Sequence, residues 1–311
     1  MKRIHSVVLA GLFAASAGHA MLVHEKFATD PALDGWRVFG DASLFQWDST
    51  NQVLNVTWDS SQTNSYFYHP LGATFTKADS FCLLFDLNLT DVDAVGYFQL
   101  ALGLCNFAEA TSTNFSRANG ISPNLCEFDY FPDGPLSYGP SVDATLVDAN
   151  DKFYFAFDTN SLPNAVTYRV VLVHLAGAST VSGAIFTNGQ PFRSLNNIYA
   201  GGADDFSLDT LAICNYTTAD DIYGDSLLAH GTVGNLAFAS PLPVGLVQTI
   251  AAGQVRFASD ANWLYTLEQS VDFQTWTAAA PAAPGNGTNL CLQATNPPVD
   301  QLFYRVRADL P

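Results

Sequence analysis

The chain has 311 residues, of which 48% are hydrophobic and 13% are charged, and its formal net charge at pH 7 is -17. The apolar content supports a sizeable core and argues against disorder. The acidic balance argues against nucleic acid and anionic membrane surfaces as partners, because both attract clustered lysine and arginine. A soluble protein that meets cations or neutral sugars fits this charge.

The first twenty residues predict an export signal rather than a part of the fold. Lys2 and Arg3 precede an apolar run over residues 7–17, and Gly18-His19-Ala20 places small residues where a signal peptidase would cut. This run and every later apolar stretch are too short to cross a bilayer. We therefore expect a secreted protein without membrane insertion.

Short strands separated by turn signals are predicted from residue 27 to residue 239. Lys, Glu and Met are scarce, which disfavours helix. Asn188-Gly189 predicts a two-residue hairpin turn, and Pro132-Asp133-Gly134 predicts the end of a strand. So many strands without a helical period predict an antiparallel sandwich or barrel. The predicted strands cover residues 53–58, 80–89, 97–104, 126–131, 152–157, 166–173, 180–187, 209–214 and 234–238.

Two segments resemble parts of known jelly rolls. The pattern Phe-x-x-Asp-Pro-x-x-x-Gly-Trp over residues 27–36 is similar to the opening of laminin-G-like and concanavalin-A-like domains, and the hairpin over residues 168–191 is similar to one of their late hairpins. The resemblance covers about residues 25–239. It implies an antiparallel jelly-roll β-sandwich of the concanavalin-A-like class, which we assign to residues 21–239.

The remaining residues predict a linker and a small second β domain. Pro241-Leu242-Pro243 marks a stiff linker, assigned to residues 240–250. Residues 251–311 contain Tyr-x-Leu-x-x-Ser-x-Asp-x-x-x-Trp-Thr at 265–277 and Phe-Tyr-Arg-Val-Arg at 303–307. These motifs resemble a small module that ends many large secreted bacterial proteins. The resemblance implies a fibronectin-III-like appendage without chemistry of its own, and the whole chain is predicted to be all-β.

The segment around Glu127 and Asp129 is the sharpest candidate for catalysis. Period two on a strand puts both carboxylates on one face, where they perturb each other's protonation as an acid and a nucleophile must. Family-16 glycoside hydrolases share the jelly roll and carry Glu-x-Asp-x-x-Glu on a strand, so the resemblance implies a nucleophile at Glu127. Phe131 and Pro132 stand where the acid/base glutamate would be, and the candidate pair lacks its proton donor.

Aspartates are concentrated in stretches that we predict as loops. Asp143, Asp148 and Asp151 are expected to share one loop, and Asp204-Asp205 lie in another. Hard cations prefer oxygen ligands from loops, and laminin-G-like and legume-lectin-like sandwiches often bind calcium at their rims. A calcium site is predicted, with a solvated turn as the alternative because Asp is a common turn residue. The predicted ligands are Asp148, Asp151, Asp204 and Asp205.

Aromatic rings of the first domain are the predicted contacts for sugar. Exposed flat rings stack on sugar faces, whereas buried ones only fill a core. The rings chosen as ligand-binding candidates are Trp58, Tyr66, Tyr130 and Tyr138.

The number and sequence context of the cysteines allow two interpretations, disulfide bonds or free thiols. An odd number in an exported protein allows one or two disulfides, but the apolar sequence context slightly favours buried free thiols. The cysteines are Cys82, Cys105, Cys126, Cys214 and Cys291.

Three functions remain open at this point. The first is a secreted, non-catalytic, lectin-like protein that binds a polysaccharide or glycan, with or without calcium. The second is a structural or adhesive cell-surface protein without a small ligand, and the third is a glycoside hydrolase built on Glu127 and Asp129. Carbohydrate binding leads because the resemblance is to lectin-like modules and the hydrolase pattern is incomplete.

Overall fold

The computed structural model describes residues 21–134, 139–195, 197–198, 201–244, 247–251, 253–271, 275–295 and 303–310. The predicted export signal, Tyr138 and Asp272, the aspartate of the motif at 265–277, lie outside these residues. The chain divides into two compact units, the first ending at Pro241 and the second beginning at Leu242. None of the described helices has the length and apolarity to span a membrane.

The first unit consists of strands with a few single helical turns. The turns are 3-10 segments at Pro31–Asp34 and Ala42–Leu44 and the helix α1 at Phe107–Ala110. In chain order, its strands are β1 (Met21–Glu25), β2 (Arg37–Phe39), β3 (Phe45–Asp48), β4 (Val53–Asp59), β5 (Ser65–Thr76), β6 (Phe81–Val95), β7 (Leu100–Cys105), β8 (Leu125–Phe131), β9 (Ser141–Val147), β10 (Phe153–Thr159), β11 (Thr167–His174), β12 (Val181–Thr187), β13 (Gln190–Leu195), β14 (Asn197–Ile198), β15 (Ser207–Asn215) and β16 (Ser226–Ser240).

These strands form two antiparallel sheets, each of eight strands among the described residues. The first sheet has the order β13-β12-β11-β6-β16-β4-β3, with β1 also paired to β16. The second has the order β14-β10-β9-β8-β7-β15-β5-β2. Every strand range predicted above overlaps an observed strand, and the all-β sandwich is confirmed. Asn188 and Gly189 have positive φ values of 51° and 74° between β12 and β13, as the predicted hairpin turn requires.

The hydrophobic core lies between the two sheets. The rings of Phe85 on β6 and Phe128 on β8 meet there with centroids 5.7 Å apart. Alternation puts Glu127 and Asp129 on the other face of β8, yet every residue of β8 and β9 is buried. An antiparallel sheet usually leaves that second face to solvent. Here the segment that joins β7 to β8 covers it, and this covered face carries the candidate site.

The second unit contains two small sheets. One has the order β17-β18-β22; in the other, β19 pairs with β20, β21 and β23. Its strands are β17 (Gln248–Ala251), β18 (Gln254–Ala258), β19 (Leu264–Ser270), β20 (Thr277–Ala278), β21 (Ala283–Pro284), β22 (Asn289–Gln293) and β23 (Phe303–Asp309).

The two C-terminal sequence motifs meet across β19 and β23. Glu268 is buried and accepts hydrogen bonds from Arg305 Nε at 2.6 Å and from Arg307 Nη1 at 2.5 Å. The guanidinium carbon of Arg305 also lies 4.4 Å from the ring centroid of Trp276. The spacing of the two arginines therefore places both on the face that carries Glu268.

Candidate functional site

A tight loop between α1 and β8 delivers Arg117 to the second sheet. Ser116 and Ile121 close the loop with two backbone hydrogen bonds of 2.8 and 2.9 Å. The Asn119 side chain donates to Ser116 Oγ at 3.1 Å and to Asp220 Oδ2 at 3.1 Å, which ties the loop to its neighbour. The Arg117 side chain is only 7% exposed, so its charge must be met inside the protein.

Two carboxylates on β8 meet that charge. Arg117 Nη2 lies 2.8 Å from Asp129 Oδ2, and its Nε lies 3.4 Å from Glu127 Oε2. Thr145 on β9 donates to Asp129 at 2.6 Å, and the Tyr216 hydroxyl donates to Glu127. Glu127 and Asp129 are fully buried, and the pair anchors the Arg117 loop over the sheet.

A third carboxylate adds to this cluster from the neighbouring strand. Asp143 on β9 stands directly opposite Asp129 in the register of the two strands and is 3% exposed. The sequence reading placed Asp143 in a loop with Asp148, and this is wrong: it lies within β9, held by pairing to β8 and β10.

The cluster of Glu127, Asp129, Asp143 and Arg117 contains three acidic groups and one basic group, and this imbalance shifts their pKa values. Burial, followed by repulsion from Asp129, raises the pKa of Asp143 from its ordinary value of 3.8 to about 7. Burial also raises the pKa values of Glu127 and Asp129, although Arg117 opposes the shift in both. Burial by itself would lower the pKa of Arg117. The negative charges of Asp129 and Glu127 outweigh this effect, and the pKa of Arg117 is raised. The guanidinium is therefore charged at every accessible pH.

A pocket of about 250 Å³ opens beside Arg117, and we call it the Arg117 pocket. The rings of Tyr97 and Phe131 stack at one side with centroids 4.3 Å apart, and Phe153 holds Arg117 Cζ at 5.4 Å from its ring centroid. It is lined by residues from β8, β9, β10, the segment before β7 and the Arg117 loop: Tyr97, Phe98, Gln99, Arg117, Ala118, Gly120, Phe131, Asp143, Thr145, Phe153 and Phe155.

Two polar groups of this pocket lack partners in the part of the chain that the structure describes. Gln99 Nε2 and Asp143 Oδ1 are buried and make no hydrogen bond there. Buried polar groups are nearly always satisfied, and a group left without a partner costs free energy. A donor and an acceptor are therefore available to a ligand next to apolar ring faces.

The predicted catalytic pair lies close to this pocket but does not line it. The carboxylates of Glu127 and Asp129 are engaged by Arg117, Tyr216 and Thr145. Because Glu127 and Asp129 are buried under Arg117, the acidic side chain that lines the pocket is that of Asp143. The hydrolase pattern does not include this residue.

Three of the four predicted sugar-stacking rings are inside the protein. Trp58, Tyr66 and Tyr130 are 1%, 0% and 4% exposed. The Tyr66 hydroxyl donates to Ala110 O at 2.8 Å, and the Tyr130 hydroxyl accepts from the Leu162 N–H at 3.1 Å. These rings have no free face for a ligand because they fill the packed layers on either side of the second sheet. The aromatic side chains that line the pocket are those of Tyr97, Phe98, Phe131, Phe153 and Phe155.

The predicted calcium ligands come together but serve as turn acceptors. Asp148 is buried, and its carboxylate accepts backbone N–H groups from Asn150, Lys152 and Asp204 at 2.8, 3.0 and 2.9 Å. Burial alone would raise the pKa of Asp148, but these donors lower it.

Their neighbours are also engaged. Asp151 accepts from the Ser122 N–H at 2.7 Å, next to the Arg117 loop, and Asp204 lies 3.6 Å from Lys152 Nζ. Asp205 accepts from the Phe206 N–H at 2.9 Å. Within the described ranges no group of three metal-ligating side chains could hold an ion. These carboxylates do not fit a calcium site, because their oxygens already bind N–H and ammonium donors.

Calcium is therefore expected to leave the stability of the protein unchanged. Because a ligand that binds only the folded state raises the melting temperature, millimolar calcium or a chelator should shift it by less than about 1 °C in differential scanning fluorimetry. Asp148→Ala removes the carboxylate that accepts these three N–H groups and should lower stability by about 2–4 kcal/mol whether or not calcium is present. A rise of several degrees with calcium, lost in Asp148→Ala, would contradict this assignment.

The cysteines are all free thiols in this structure. Cys82, Cys105, Cys126 and Cys214 are buried and Cys291 is exposed. Burial raises the pKa of Cys82 to about 12, and such thiols are chemically inert.

The first sheet carries a larger depression of about 340 Å³ on its outer face. Its polar side chains are largely paired: Asn88 donates to Thr167 Oγ1 at 3.1 Å, and Asp86 accepts from Asn235 at 2.6 Å and from Arg169 at 2.8 Å. It has no aromatic wall among its lining residues. The Arg117 pocket is the better candidate, since it alone of the two combines ring faces with unpartnered polar atoms.

No protein-family model matches this sequence, and no curated protein sequence matches it. Among solved structures, the chain is similar to the Lotus tetragonolobus seed lectin, at 8% identity over 72% of this chain and 99% of that chain, with a TM-score of 0.46. The legume lectin-like domain from Entamoeba histolytica is 11% identical over 70% of this chain and 95% of that chain, with a TM-score of 0.42. The Emp47p carbohydrate recognition domain is 11% identical over 74% of this chain and 100% of that chain, with a TM-score of 0.40. Because these identities and TM-scores are low, the β-sandwich is assigned from the strand order of the chain itself.

Proposed function

We propose that this protein is a secreted carbohydrate-binding protein that holds a sugar residue in the Arg117 pocket without cleaving it. The observation that carries the proposal is the pairing of aromatic faces with buried polar atoms that lack partners in the described chain. A sugar ring presents C–H faces that pack on aromatic rings and hydroxyl groups that need directed hydrogen bonds. The pocket offers both kinds of contact within about 250 Å³.

Binding without hydrolysis is proposed because of how the acids are arranged. Glycoside hydrolysis needs two carboxyl groups that flank the bond to be cleaved. Asp143 lines the pocket, whereas Glu127 and Asp129 are held by Arg117 behind its wall. Calcium is not expected to assist, since the aspartates near Asp148 bind backbone N–H groups.

The proposal is tested by affinity electrophoresis and pulldown of the full-length protein on a panel of soluble and insoluble polysaccharides, with reducing ends measured in parallel. We expect retention on at least one polysaccharide and no release of reducing ends. Tyr97 is 42% exposed and lines the pocket, so Tyr97→Ala should weaken binding about tenfold through lost stacking.

Tyr223 provides the matched control, because it is 79% exposed and does not line the pocket. Tyr223→Ala should bind as the unmodified protein does. Absence of binding across the panel would favour the structural or adhesive alternative, and release of reducing ends that disappears in Asp143→Asn would favour an enzyme.

The second unit is proposed as an appendage of fibronectin-III-like character. Its buried charges are paired within the unit, as Glu268 is with Arg305 and Arg307. The proposed secretion rests on the basic start and apolar run of residues 1–20.

A further inference from the structure

The Arg117 pocket contains more acidic groups than its guanidinium can neutralise. Arg117 is committed to Glu127 and Asp129 at 3.4 and 2.8 Å. Asp143 has a hydrogen bond with the Ser141 side chain, but it forms no ion pair with any lysine, arginine or histidine in the described ranges, and its Oδ1 accepts no hydrogen bond there. A buried carboxylate left in this way attracts a cation more strongly than a neutral donor.

The walls of the pocket favour the same kind of ligand. The faces of aromatic rings carry a negative potential that attracts cations and repels anions. Tyr97 and Phe131 present a stacked pair, and Phe153 already holds the Arg117 guanidinium at 5.4 Å. Ring faces beside a buried carboxylate form a setting suited to a protonated amine.

The size of the pocket limits what carries that amine. Sites for drug-sized ligands usually measure about 300–1,000 Å³. At about 250 Å³, the Arg117 pocket accommodates a single sugar residue rather than a longer segment.

We infer that the sugar residue bound in the Arg117 pocket carries a free, protonated amino group that pairs with Asp143. The ligand class is an amino sugar, as part of a polysaccharide whose amines are not acetylated. This inference rests on the proposed carbohydrate binding and adds the substrate class to it. The net charge of -17 acts in the same direction, because it attracts a cationic polymer to the protein surface.

The test is isothermal titration calorimetry of the full-length protein with β-1,4-linked tetramers of glucosamine, N-acetylglucosamine and glucose. The titrations are made at about pH 7, where about half of the Asp143 carboxyl groups are ionised in the free protein. We expect the glucosamine tetramer to bind at least about tenfold more tightly than the other two, with a preference that weakens as salt is added. Asp143→Asn should abolish the preference and leave the affinity for the glucose tetramer within about twofold.

Asp93→Asn is the control, because Asp93 is an exposed aspartate on β6 and its loss changes net charge by the same amount. It should keep the preference. Equal affinity for the three tetramers, a preference that survives in Asp143→Asn, or one lost equally in Asp93→Asn would overturn the amino-sugar inference and leave carbohydrate binding standing. Failure of all three tetramers and of the polysaccharide panel would overturn both.

Discussion

Replacing Arg117 by methionine should destabilise the protein by about 3–5 kcal/mol. The substitution keeps most of the apolar stem but leaves Glu127 and Asp129 buried without their cation. Removing one partner of a buried ion pair has effects of this size, because the remaining charge stays in a medium that solvates it poorly. Since whole domains are stable by only about 5–15 kcal/mol, the loss is readily measured by urea unfolding.

The control is Arg169→Met. Arg169 forms a bidentate pair with Asp86 at 2.8 and 3.0 Å, but its side chain is 43% exposed. Solvent screens such a pair, and its loss should cost no more than about 1 kcal/mol. If Arg117→Met were no more harmful than Arg169→Met at pH 8, the role of Arg117 as the anchor of its loop would be wrong.

Combining Arg117→Met with Glu127→Gln and Asp129→Asn should restore most of the lost stability. Neutral side chains of the same shape need no cation, and replacing a whole buried ionic group is often close to neutral. The same logic predicts that Arg117→Met is less harmful at pH 5 than at pH 8, since the carboxylates then take up protons.

The stability of the unmodified protein is expected to fall as pH rises from about 4 to above 7, because of Asp143. Its pKa is raised from 3.8 to about 7 by burial and by Asp129. In the unfolded chain the carboxyl ionises near its ordinary value, while in the folded chain it stays protonated, so rising pH favours the unfolded state. The pKa difference corresponds to on the order of 4 kcal/mol, reached once the folded form also ionises.

Asp143→Asn isolates this contribution, because asparagine has nearly the same shape and does not titrate. At pH 4 the free energies of unfolding of the two proteins should agree within about 1 kcal/mol. At pH 8 the variant should be the more stable by about 3 kcal/mol, whereas Asp93→Asn should follow the unmodified protein throughout. Parallel pH profiles for Asp143→Asn and the unmodified protein would show that Asp143 is not buried as described. A gain in stability in Asp143→Asn also separates its effect on amino-sugar binding from any loss of folding.

Local patterns in the sequence were sufficient for the fold class. Alternation along residues 126–131 correctly placed Glu127 and Asp129 on one face of a strand and Phe128 on the other. Asn188-Gly189 correctly located a two-residue turn, since these residues tolerate positive φ. Such features depend on neighbours a few positions apart.

Local sequence patterns did not predict which residues form the site. Arg117 lies in a polar loop that matches no motif, and its partners Glu127 and Asp129 are on β8. Tyr216, which donates to Glu127, comes from a segment far along the chain. Asp143 was expected in a loop because aspartate is common in turns and uncommon in strands. Pairing on both sides of β9 overrides that local preference.

The sequence by itself determined an all-β chain, the positions of nine of its strands and the face on which each side chain of β8 projects, because side-chain direction in a strand alternates with period two. Only the tertiary structure decided that the second face of β8 and β9 is buried under the Arg117 loop. Burial by a distant segment depends on how loops pack on the sheet. The burial of Trp58, Tyr66 and Tyr130 was likewise decided by tertiary packing, because all three belong to the hydrophobic core. The same packing turned Asp143 into the acid that lines the pocket, since it placed ring faces and Arg117 around a carboxylate with no cation of its own.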